Sequence, residues 1–272
     1  MKLCHKVIIF FILCILGISV TNAQQDSTRH SFGETLTSDV KMIFTDAGTI
    51  FTAPVRFSER DWLITGAVVG GTAALFSLDQ SARSLAQRNQ SQFGDNLFNI
   101  GREYGRPIYG IVLSSGLYLG GLAFDKKDVR LTGVMVFESL AFAGAITTVI
   151  KSVAGRSRPF LEEGNTRFRG FQFRDGTTSL PSGHATVAFA VSSVLAARIH
   201  NTLATVGLYS LATLTAVSRV YHDEHWASDS FLGAAIGTVV GLAVVDIHDH
   251  RDNQAYFRFI PSINGIRAEL IF

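Results

Sequence analysis

The chain contains little cysteine and little charge. Its two cysteines, Cys4 and Cys14, both lie in the first apolar stretch, so the rest of the 272 residues cannot form a disulfide. Charged residues make up only 17% of the sequence and the formal net charge is +2, which gives no reason to expect a nucleic-acid partner. No repeat of fixed period is evident. The length fits a single domain with a sizeable core.

Apolar sequence is what the chain has in abundance, since hydrophobic residues make up 47% of it. Six apolar segments lack the alternation typical of strands and therefore favour helices; they lie at 62–78, 107–124, 131–150, 185–199, 202–217 and 231–247. Several are near the lower length limit for crossing about 30 Å of hydrocarbon. Their many small residues suit close helix packing. We therefore expect an all-α, six-helix membrane-embedded bundle, with a soluble helical domain as the alternative.

The two ends of the chain differ from this helical domain, which we place at 61–250. Residues 1–23, with two lysines before an apolar run, have the form of a secretory signal peptide. An uncleaved anchor is the alternative, because the small-residue pattern is imperfect at Thr21. Residues 24–60 read as a polar, amphipathic lead-in without visible chemistry. In the tail, 251–272, alternating residues on both sides of Asn264-Gly265 predict a short C-terminal β-hairpin.

Residues able to carry out chemistry are concentrated in three short segments. They are Lys151 with Arg158-Pro159, then Pro181-Ser182-Gly183-His184, then Ser218-Arg219 with His225 and Asp229. Together the segments supply cations, two histidines and a carboxylate. This is the set needed to hold a phosphate group and to transfer it through a histidine.

The third segment contains a candidate nucleophile. His225 and Asp229 stand four residues apart and would share one face of a helix. Asp229 could then accept the Nδ1 proton of His225 and leave Nε2 free to attack. Arg219 is close enough in a bent turn to bind an oxyanion beside that nitrogen. The alternative is that His225 merely caps a membrane helix and pairs with Asp229.

The second segment is typical of a helix start. Pro181 suits the first turn, and Ser182 and Gly183 are small enough to let a ligand approach free backbone amides. His184, directly after them, could donate a proton to a leaving alkoxide. By itself the tetrapeptide is a weak signal, because a Pro-Ser-Gly turn before an apolar helix is common.

The first segment offers two cations that could face one anion. Lys151 and Arg158 are seven residues apart, which is two turns if the helix persists. A loop is equally compatible with Gly155 and Arg156 between them. Lysine and arginine also flank membrane helices as interfacial anchors, which is the alternative role.

The order and spacing of the three segments resemble the signature of the type 2 phosphatidic acid phosphatase and vanadium haloperoxidase superfamily. The resemblance runs from Lys151 to Asp229, and every signature position is filled. It implies that His225 forms a phosphohistidine with the help of Asp229 and that His184 is the general acid. The residues that it implies for phosphate binding are Lys151, Arg158, Ser182, Gly183 and Arg219. It implies no metal and no cofactor in catalysis.

With the apolar segments, the resemblance predicts a cell-envelope phosphatase. Its substrate would be a lipid phosphate of the phosphatidic acid, phosphatidylglycerol phosphate, undecaprenyl diphosphate or lipid A type. The alternatives are a soluble periplasmic acid phosphatase of broad specificity, a vanadium-dependent haloperoxidase and a non-enzymatic membrane protein. The count of positive residues in the loops favours a cytoplasmic site. The predicted signal peptide and the bacterial relatives favour the periplasmic side, which is the side we expect.

Other polar residues invite simpler interpretations. His222, Asp223 and Glu224 lie where the signature specifies nothing, and they predict a solvated turn. The run from His248 to His250 lacks a distant ligand with convincing spacing, so the sequence does not predict a metal site there. Glu138 is the one charge in its apolar segment, and we expect it to face other helices as a hydrogen-bond partner in packing, not as a catalytic acid.

Overall fold

The computed structural model describes residues 32–171, 176–252, 256–262 and 265–271, and most of them are helical. The nine α-helices of this part of the chain are α1 (Phe32–Thr52), α2 (Glu59–Phe76), α3 (Asp79–Arg88), α4 (Gln92–Tyr104), α5 (Pro107–Ala123), α6 (Lys127–Ala154), α7 (Gly183–Ile199), α8 (Thr202–Tyr221) and α9 (Ala227–Asp252). Two short 3-10 helices cover Ala53–Arg56 and Pro159–Leu161. The all-α class predicted from the sequence is confirmed.

Each of the six apolar segments lies on a helix, but fewer than six helices are long enough to span a membrane unaided. By length and composition α6, α8 and α9 qualify, and α2 with α3 forms a further pair that is bent by 59°. The helices α5 and α7 are apolar but shorter. The expected count of six spanning helices is therefore replaced by three, or four with the bent pair, in the described part of the chain.

Two strands follow the helices near the C-terminus. They are β1 (Tyr256–Ser262) and β2 (Gly265–Ile271), which pair antiparallel with Ser262 opposite Gly265. Asn264, expected at the turn, lies outside the described residues, as does the expected signal peptide at 1–23.

The lead-in predicted to be without visible chemistry contains a full helix, α1. Among the residues of α1, Asp39 and Asp46 are the buried ones. Asp39 accepts a hydrogen bond from Tyr118 (2.9 Å) and pairs with Arg130 at the start of α6. These contacts are not predictable from local sequence patterns, because the partners are 79 and 91 residues away.

The helical core is built where α6, α7 and α9 meet. Buried apolar side chains from these helices form one cluster; they include Met135, Val136, Val191, Val194 and Val244. A glycine permits the close approach of α9 to α7, since a β-carbon on Gly237 would lie 2.3 Å from the carbonyl oxygen of Thr186. A β-carbon on Gly233 would lie 2.4 Å from the carbonyl oxygen of Ser182. The start of α7 is thereby pressed against α9.

The outer faces of the helices are apolar. Val112 of α5, Val149 of α6 and Leu203 of α8 are 61%, 62% and 82% exposed. Only 28% of the apolar 18-residue stretch of α8 is buried inside the molecule. Exposed apolar surface of this extent is typical of a face that contacts lipid, and a soluble globular core would bury it.

The end of α6 directs the chain into the site. Gly155 follows the helix in the left-handed conformation (φ 57°), and its amide donates to the carbonyl of Lys151. A β-carbon there would lie 2.6 Å from the amide nitrogen of Gly170, so both the backbone angle and the space require glycine. The loop that carries Arg156 and Arg158 leaves the helix at this point.

Candidate active site

The three segments predicted from the sequence converge at one end of the helical bundle. Lys151 lies in the last turn of α6 and Arg219 in the last turn of α8. His225 lies in the loop between α8 and α9, and Asp229 lies in the first turn of α9. His184 is the second residue of α7. Helix ends from four parts of the chain therefore supply the site.

Short backbone contacts join the segments to one another. The amide of Ser182 donates to the carbonyl of Asp229 (2.9 Å), and the amide of His225 donates to the carbonyl of Arg219 (3.1 Å). A β-carbon built on Gly183 would lie 3.9 Å from Cε of Lys151. The amino group of Lys151 is held by the carbonyl of Thr178.

The helix start in the second segment is two residues later than predicted. Gly183 is the first residue of α7, and Ser182 is its extended N-cap (φ −75°, ψ 114°). Pro181 therefore precedes the cap and is not in the first turn. The side chain of Ser182 makes no capping hydrogen bond. The first amides of α7 point out of the helix at this end, where they are available to an anion.

Two arginines converge on one carboxylate. Arg158 donates from Nη1 to Oε2 of Glu224, and Nη2 of Arg219 lies 3.5 Å from the same oxygen. Among the residues predicted to bind phosphate, three buried donor atoms have no hydrogen-bond partner in the described part of the chain: Nε of Arg158, Nε of Arg219 and Oγ of Ser182. Buried polar groups normally have partners, so these donors indicate a place where an anion binds.

The predicted direct hydrogen bond between His225 and Asp229 is wrong. Nδ1 of His225 lies 3.8 Å from Oδ2 of Asp229, which is too far for such a bond. That oxygen instead accepts from the hydroxyl of Ser179 and from the amide of Trp226 (2.9 Å). The Ser179 hydroxyl also lies 3.5 Å from Nδ1 of His225. Ser179 thus stands between the histidine and the carboxylate.

His225 is enclosed, with only 3% of its surface exposed. Burial lowers the pKa of His225 to about 3. The charge of Lys151 acts in the same direction, and Asp229 opposes both. The imidazole is therefore neutral across the physiological pH range and keeps one ring nitrogen unprotonated, as a nucleophile must.

Asp229 is fixed from the other side by Arg156, which sequence reasoning treated only as a loop residue. Arg156 is fully buried and donates from Nη1 to Oδ1 of Asp229 (2.5 Å) and to Oγ of Ser228 (2.8 Å). Its Nη2 donates to Oδ2 of Asp79 (2.6 Å), the first residue of α3. Both Nη2 and Nε donate to the carbonyl of Asn165 (2.6 and 2.9 Å). All the donor capacity of the guanidinium is used.

His184 is half-buried beside the arginine pair, and its burial, followed by the charges of Arg219 and Arg158, lowers the pKa of its imidazole to about 4. Gly105, at the end of α4, packs against its backbone, where a β-carbon would lie 2.7 Å from the His184 carbonyl oxygen. The structure thus brings every residue predicted for the site into this region.

Side chains of the turn predicted to be solvated contact other parts of the structure. Asp223 accepts two hydrogen bonds of 2.7 Å from Arg83 of α3, and Glu224 contacts the two site arginines. Nε2 of His222 is buried and has no partner among the described side chains. Sequence reasoning missed Ser179, Arg156, Asp79 and Glu224 as site residues. The signals available in the sequence were the positions of Arg156, two residues before Arg158, and of Ser179, two residues before Pro181.

Comparison with known proteins agrees with this geometry. Residues 132–252 match the family model of the PAP2 superfamily. A lipid A 1-phosphatase of Porphyromonas gingivalis is 25% identical over 241 residues, which cover 85% of this chain and 48% of that protein. A lipid A 1-phosphatase of Rhizobium johnstonii is 30% identical over 119 residues, which cover 42% of this chain and 47% of that protein. The chain spans about half the length of the curated relatives it matches.

A solved structure shares the fold. It is the transmembrane PAP2 type phosphatidylglycerolphosphate phosphatase from Bacillus subtilis, with a TM-score of 0.54 and 17% identity. The match covers 80% of this chain and 97% of that one. The family match includes all three segments of the site, from Lys151 to Asp229, so this region of the chain is similar to the PAP2 superfamily.

Proposed function

We propose that this protein is a membrane phosphatase that hydrolyses a lipid phosphate through a phosphohistidine at His225. The observation that carries the proposal is the set of buried, unpartnered donors of Arg158, Arg219 and Ser182, within the described residues, beside a neutral buried histidine. Such a set suits a tetrahedral dianion better than a carboxylate or a neutral ligand, because its donors come from three separate segments of the chain.

The first step forms the bond between Nε2 of His225 and phosphorus. Ser179, which donates a hydrogen bond to Asp229, holds the Nδ1 side of the ring, so that Nε2 faces the substrate. The P–O ester bond breaks as the new bond forms. The low pKa of His225 means that no proton has to be removed from Nε2 before attack.

The leaving alkoxide requires a proton, which His184 supplies. The phosphate of a bound substrate favours the protonated imidazole at this position, against the charges of the nearby arginines. In the second step water attacks phosphorus, its proton passes to His184, and the P–N bond breaks to release inorganic phosphate. His184 then carries the proton needed for the next cycle.

Lys151, Arg158 and Arg219 stabilise the charge on the equatorial oxygens in both steps. Phosphoryl transfer depends chiefly on such positioning and electrostatics. We propose that these cations do this without a catalytic metal. The amides at the start of α7 and the Ser182 hydroxyl add donors to the same oxygens.

The substrate class follows from the surroundings of the site. The helices that carry it expose apolar faces and include three helices long enough to cross a membrane. A lipid-borne phosphate can reach a site placed at the end of such helices. The names of the relatives make lipid A the first substrate to test, and phosphatidylglycerol phosphate the second.

The test is phosphate release by the detergent-purified full chain in EDTA. Substrates are lipid A, phosphatidylglycerol phosphate, phosphatidic acid, undecaprenyl diphosphate and a water-soluble aryl phosphate. We expect release from a lipid substrate and its loss in His225→Ala, with the fold retained. Trapping of labelled phosphate on the wild-type chain, but not on His225→Ala, would identify the intermediate.

Two outcomes would overturn the proposal. Full activity of His225→Ala would show that His225 is not the nucleophile. A strong preference for the soluble aryl phosphate would instead indicate an acid phosphatase of broad specificity. His250→Ala is the matched control, because His250 is an exposed histidine near the end of α9 and does not belong to the site.

A further inference from the structure

A second polar cluster is buried in the helical bundle away from the catalytic site. It consists of Asp46 on α1, Glu138 on α6 and His248 on α9, with exposures of 1%, 0% and 3%. Glu138 precedes Lys151 by 13 residues on α6, which corresponds to about 20 Å along the helix. The mechanism of phosphate transfer uses none of these three residues.

The three side chains direct metal-ligating atoms at one another. Nε2 of His248 lies 2.7 Å from Oε2 of Glu138 and 3.4 Å from Oδ2 of Asp46. One donor atom from each residue falls within 4.8 Å of the other two. Oε1 of Glu138 is buried and has no hydrogen-bond partner within the described ranges. A buried carboxylate oxygen without a partner indicates a missing positive ligand.

The cluster brings two carboxylates together at one buried point. Arg251 binds Asp46 and neutralises one of the two carboxylates. Glu138 contacts the imidazole of His248 through Oε2, and a carboxylate oxygen of Asp46 lies within 4.8 Å of it. A divalent cation would satisfy both oxygens of Glu138 and the ring nitrogen together.

We propose that Asp46, Glu138 and His248 bind a divalent transition-metal ion. One imidazole and two carboxylates are ligands of Zn²⁺, which holds them at about 2.0–2.2 Å. In a tetrahedron with such bonds, neighbouring ligand atoms are about 3.4 Å apart. The distance from His248 to Asp46 already has this value, and the distance from His248 to Glu138 has to open by about 0.7 Å. Zn²⁺ is therefore the ion to test.

The ion would fasten α1 to the rest of the bundle. Half-buried apolar residues of α1, such as Ile43 and Ala47, pack against the core, but its fully buried side chains are aspartates. A metal shared by α1, α6 and α9 would join three helices at one point. Its role is structural, since Lys151 of the catalytic site lies about 20 Å farther along α6.

The experiment measures metal content directly and does not depend on activity. Tag-free, detergent-purified full chain is incubated with Zn²⁺, desalted and analysed by mass spectrometry for bound zinc. We expect one zinc ion per wild-type chain and loss of that ion in both Glu138→Gln and His248→Ala. Glu138→Gln preserves side-chain volume, so it remains informative if His248→Ala does not fold.

Two controls separate this site from other histidines. His225→Ala and His250→Ala should retain the ion, because the first alters the catalytic site and the second an exposed neighbour. EDTA should lower the unfolding temperature of the wild-type chain and leave that of Glu138→Gln unchanged. Wild-type protein with no more zinc than Glu138→Gln would overturn the proposal, as would zinc that is lost in His225→Ala.

Discussion

The Ser179 hydroxyl contacts both the candidate nucleophile and its carboxylate. It donates to Asp229 and lies 3.5 Å from Nδ1 of His225. Replacing it with alanine removes a buried donor, which costs about 1–3 kcal/mol where the partner is left unsatisfied. We expect Ser179→Ala to lower kcat by about tenfold or more, because the ring of His225 loses the hydroxyl on its Nδ1 side and a rise of about 1.36 kcal/mol in the activation free energy corresponds to a factor of ten.

To distinguish a role of Ser179 in catalysis from a purely structural one, the change in kcat is compared with the change in KM. KM should change little, because Ser179 is not among the donors proposed to bind phosphate. Ser193→Ala is a matched control: Ser193 is equally buried and hydrogen-bonded, but to Tyr209. Ser179 would have only a structural role if Ser179→Ala left kcat unchanged and lowered the unfolding temperature as much as Ser193→Ala does.

Glu224 competes with substrate for the two site arginines. Its carboxylate contacts Arg158 and Arg219, and its side chain is 34% exposed, so it can be displaced toward solvent. We expect Glu224→Gln to bind inorganic phosphate several-fold more tightly and to lower KM, because removal of the negative charge frees both guanidinium groups. Inhibition of lipid phosphate hydrolysis by added phosphate measures the change.

Glu163→Gln provides the comparison for Glu224. Glu163 has a similarly exposed side chain and pairs with Arg169 instead of a site arginine. Its substitution should leave the inhibition constant for phosphate unaltered. If Glu224→Gln weakens phosphate binding, the carboxylate positions the arginines and does not compete for them.

Residue types and spacing were sufficient to predict which side chains form the site, but not how those side chains are held. The signature names Lys151, Arg158, His184, Arg219 and His225, and all of them converge. The partners of Asp229 were not predictable, because a hydrogen bond between Ser179 and Asp229 depends on the path of a loop. The contacts of Glu224, in the turn predicted to be solvated, were missed for the same reason: the spacing along the chain does not show which distant arginine faces it.

At the scale of elements, Arg156 connects three pieces of the fold. It joins the loop after α6 to Asp79 at the start of α3 and to Asp229 in the first turn of α9. Both carboxylates and the guanidinium are fully buried, so removing the cation leaves uncompensated negative charge. Breaking a buried pair in this way typically costs about 3–5 kcal/mol.

We therefore expect Arg156→Lys to be clearly destabilising although it retains the charge. Lysine offers one nitrogen where the guanidinium reaches two carboxylates, a hydroxyl and a carbonyl. The measurement is the apparent unfolding temperature in detergent, together with phosphatase activity. Arg169→Lys, in a partly exposed pair with Glu163, should change the temperature little. Equal unfolding temperatures for the two variants would show that the buried network contributes little stability.

Periodicity predicted the apolar helices well and the polar ones poorly. All six apolar segments are helices, because a long run of apolar residues without alternation leaves few other folds. The helices α1, α3 and α4 were missed, since their polar residues make contacts that only the tertiary structure supplies. In α1 the clearest case is Asp46, whose partner His248 lies about two hundred residues later and was judged to lack a distant ligand.

For the molecule as a whole, the orientation in the membrane decides which pool of lipid phosphate the site can reach. The scarcity of cysteine makes it measurable: both cysteines lie within residues 1–23, so one introduced cysteine is a unique label in the rest of the chain. Thr166 is exposed in the loop on the side of the site, and Lys126 is exposed at the opposite end of α6. The two positions report on opposite faces.

We expect Thr166→Cys to react with a membrane-impermeant maleimide in intact cells and Lys126→Cys to react only after the cells are permeabilised. This result requires the site to face the periplasm, where an exported lipid phosphate is accessible. The opposite pattern would place the site in the cytoplasm, in agreement with the positive residues of its loops. Cys4→Ser/Cys14→Ser protein without an introduced cysteine is the blank. Because labelling needs no turnover, it fixes the orientation even for a variant such as His225→Ala.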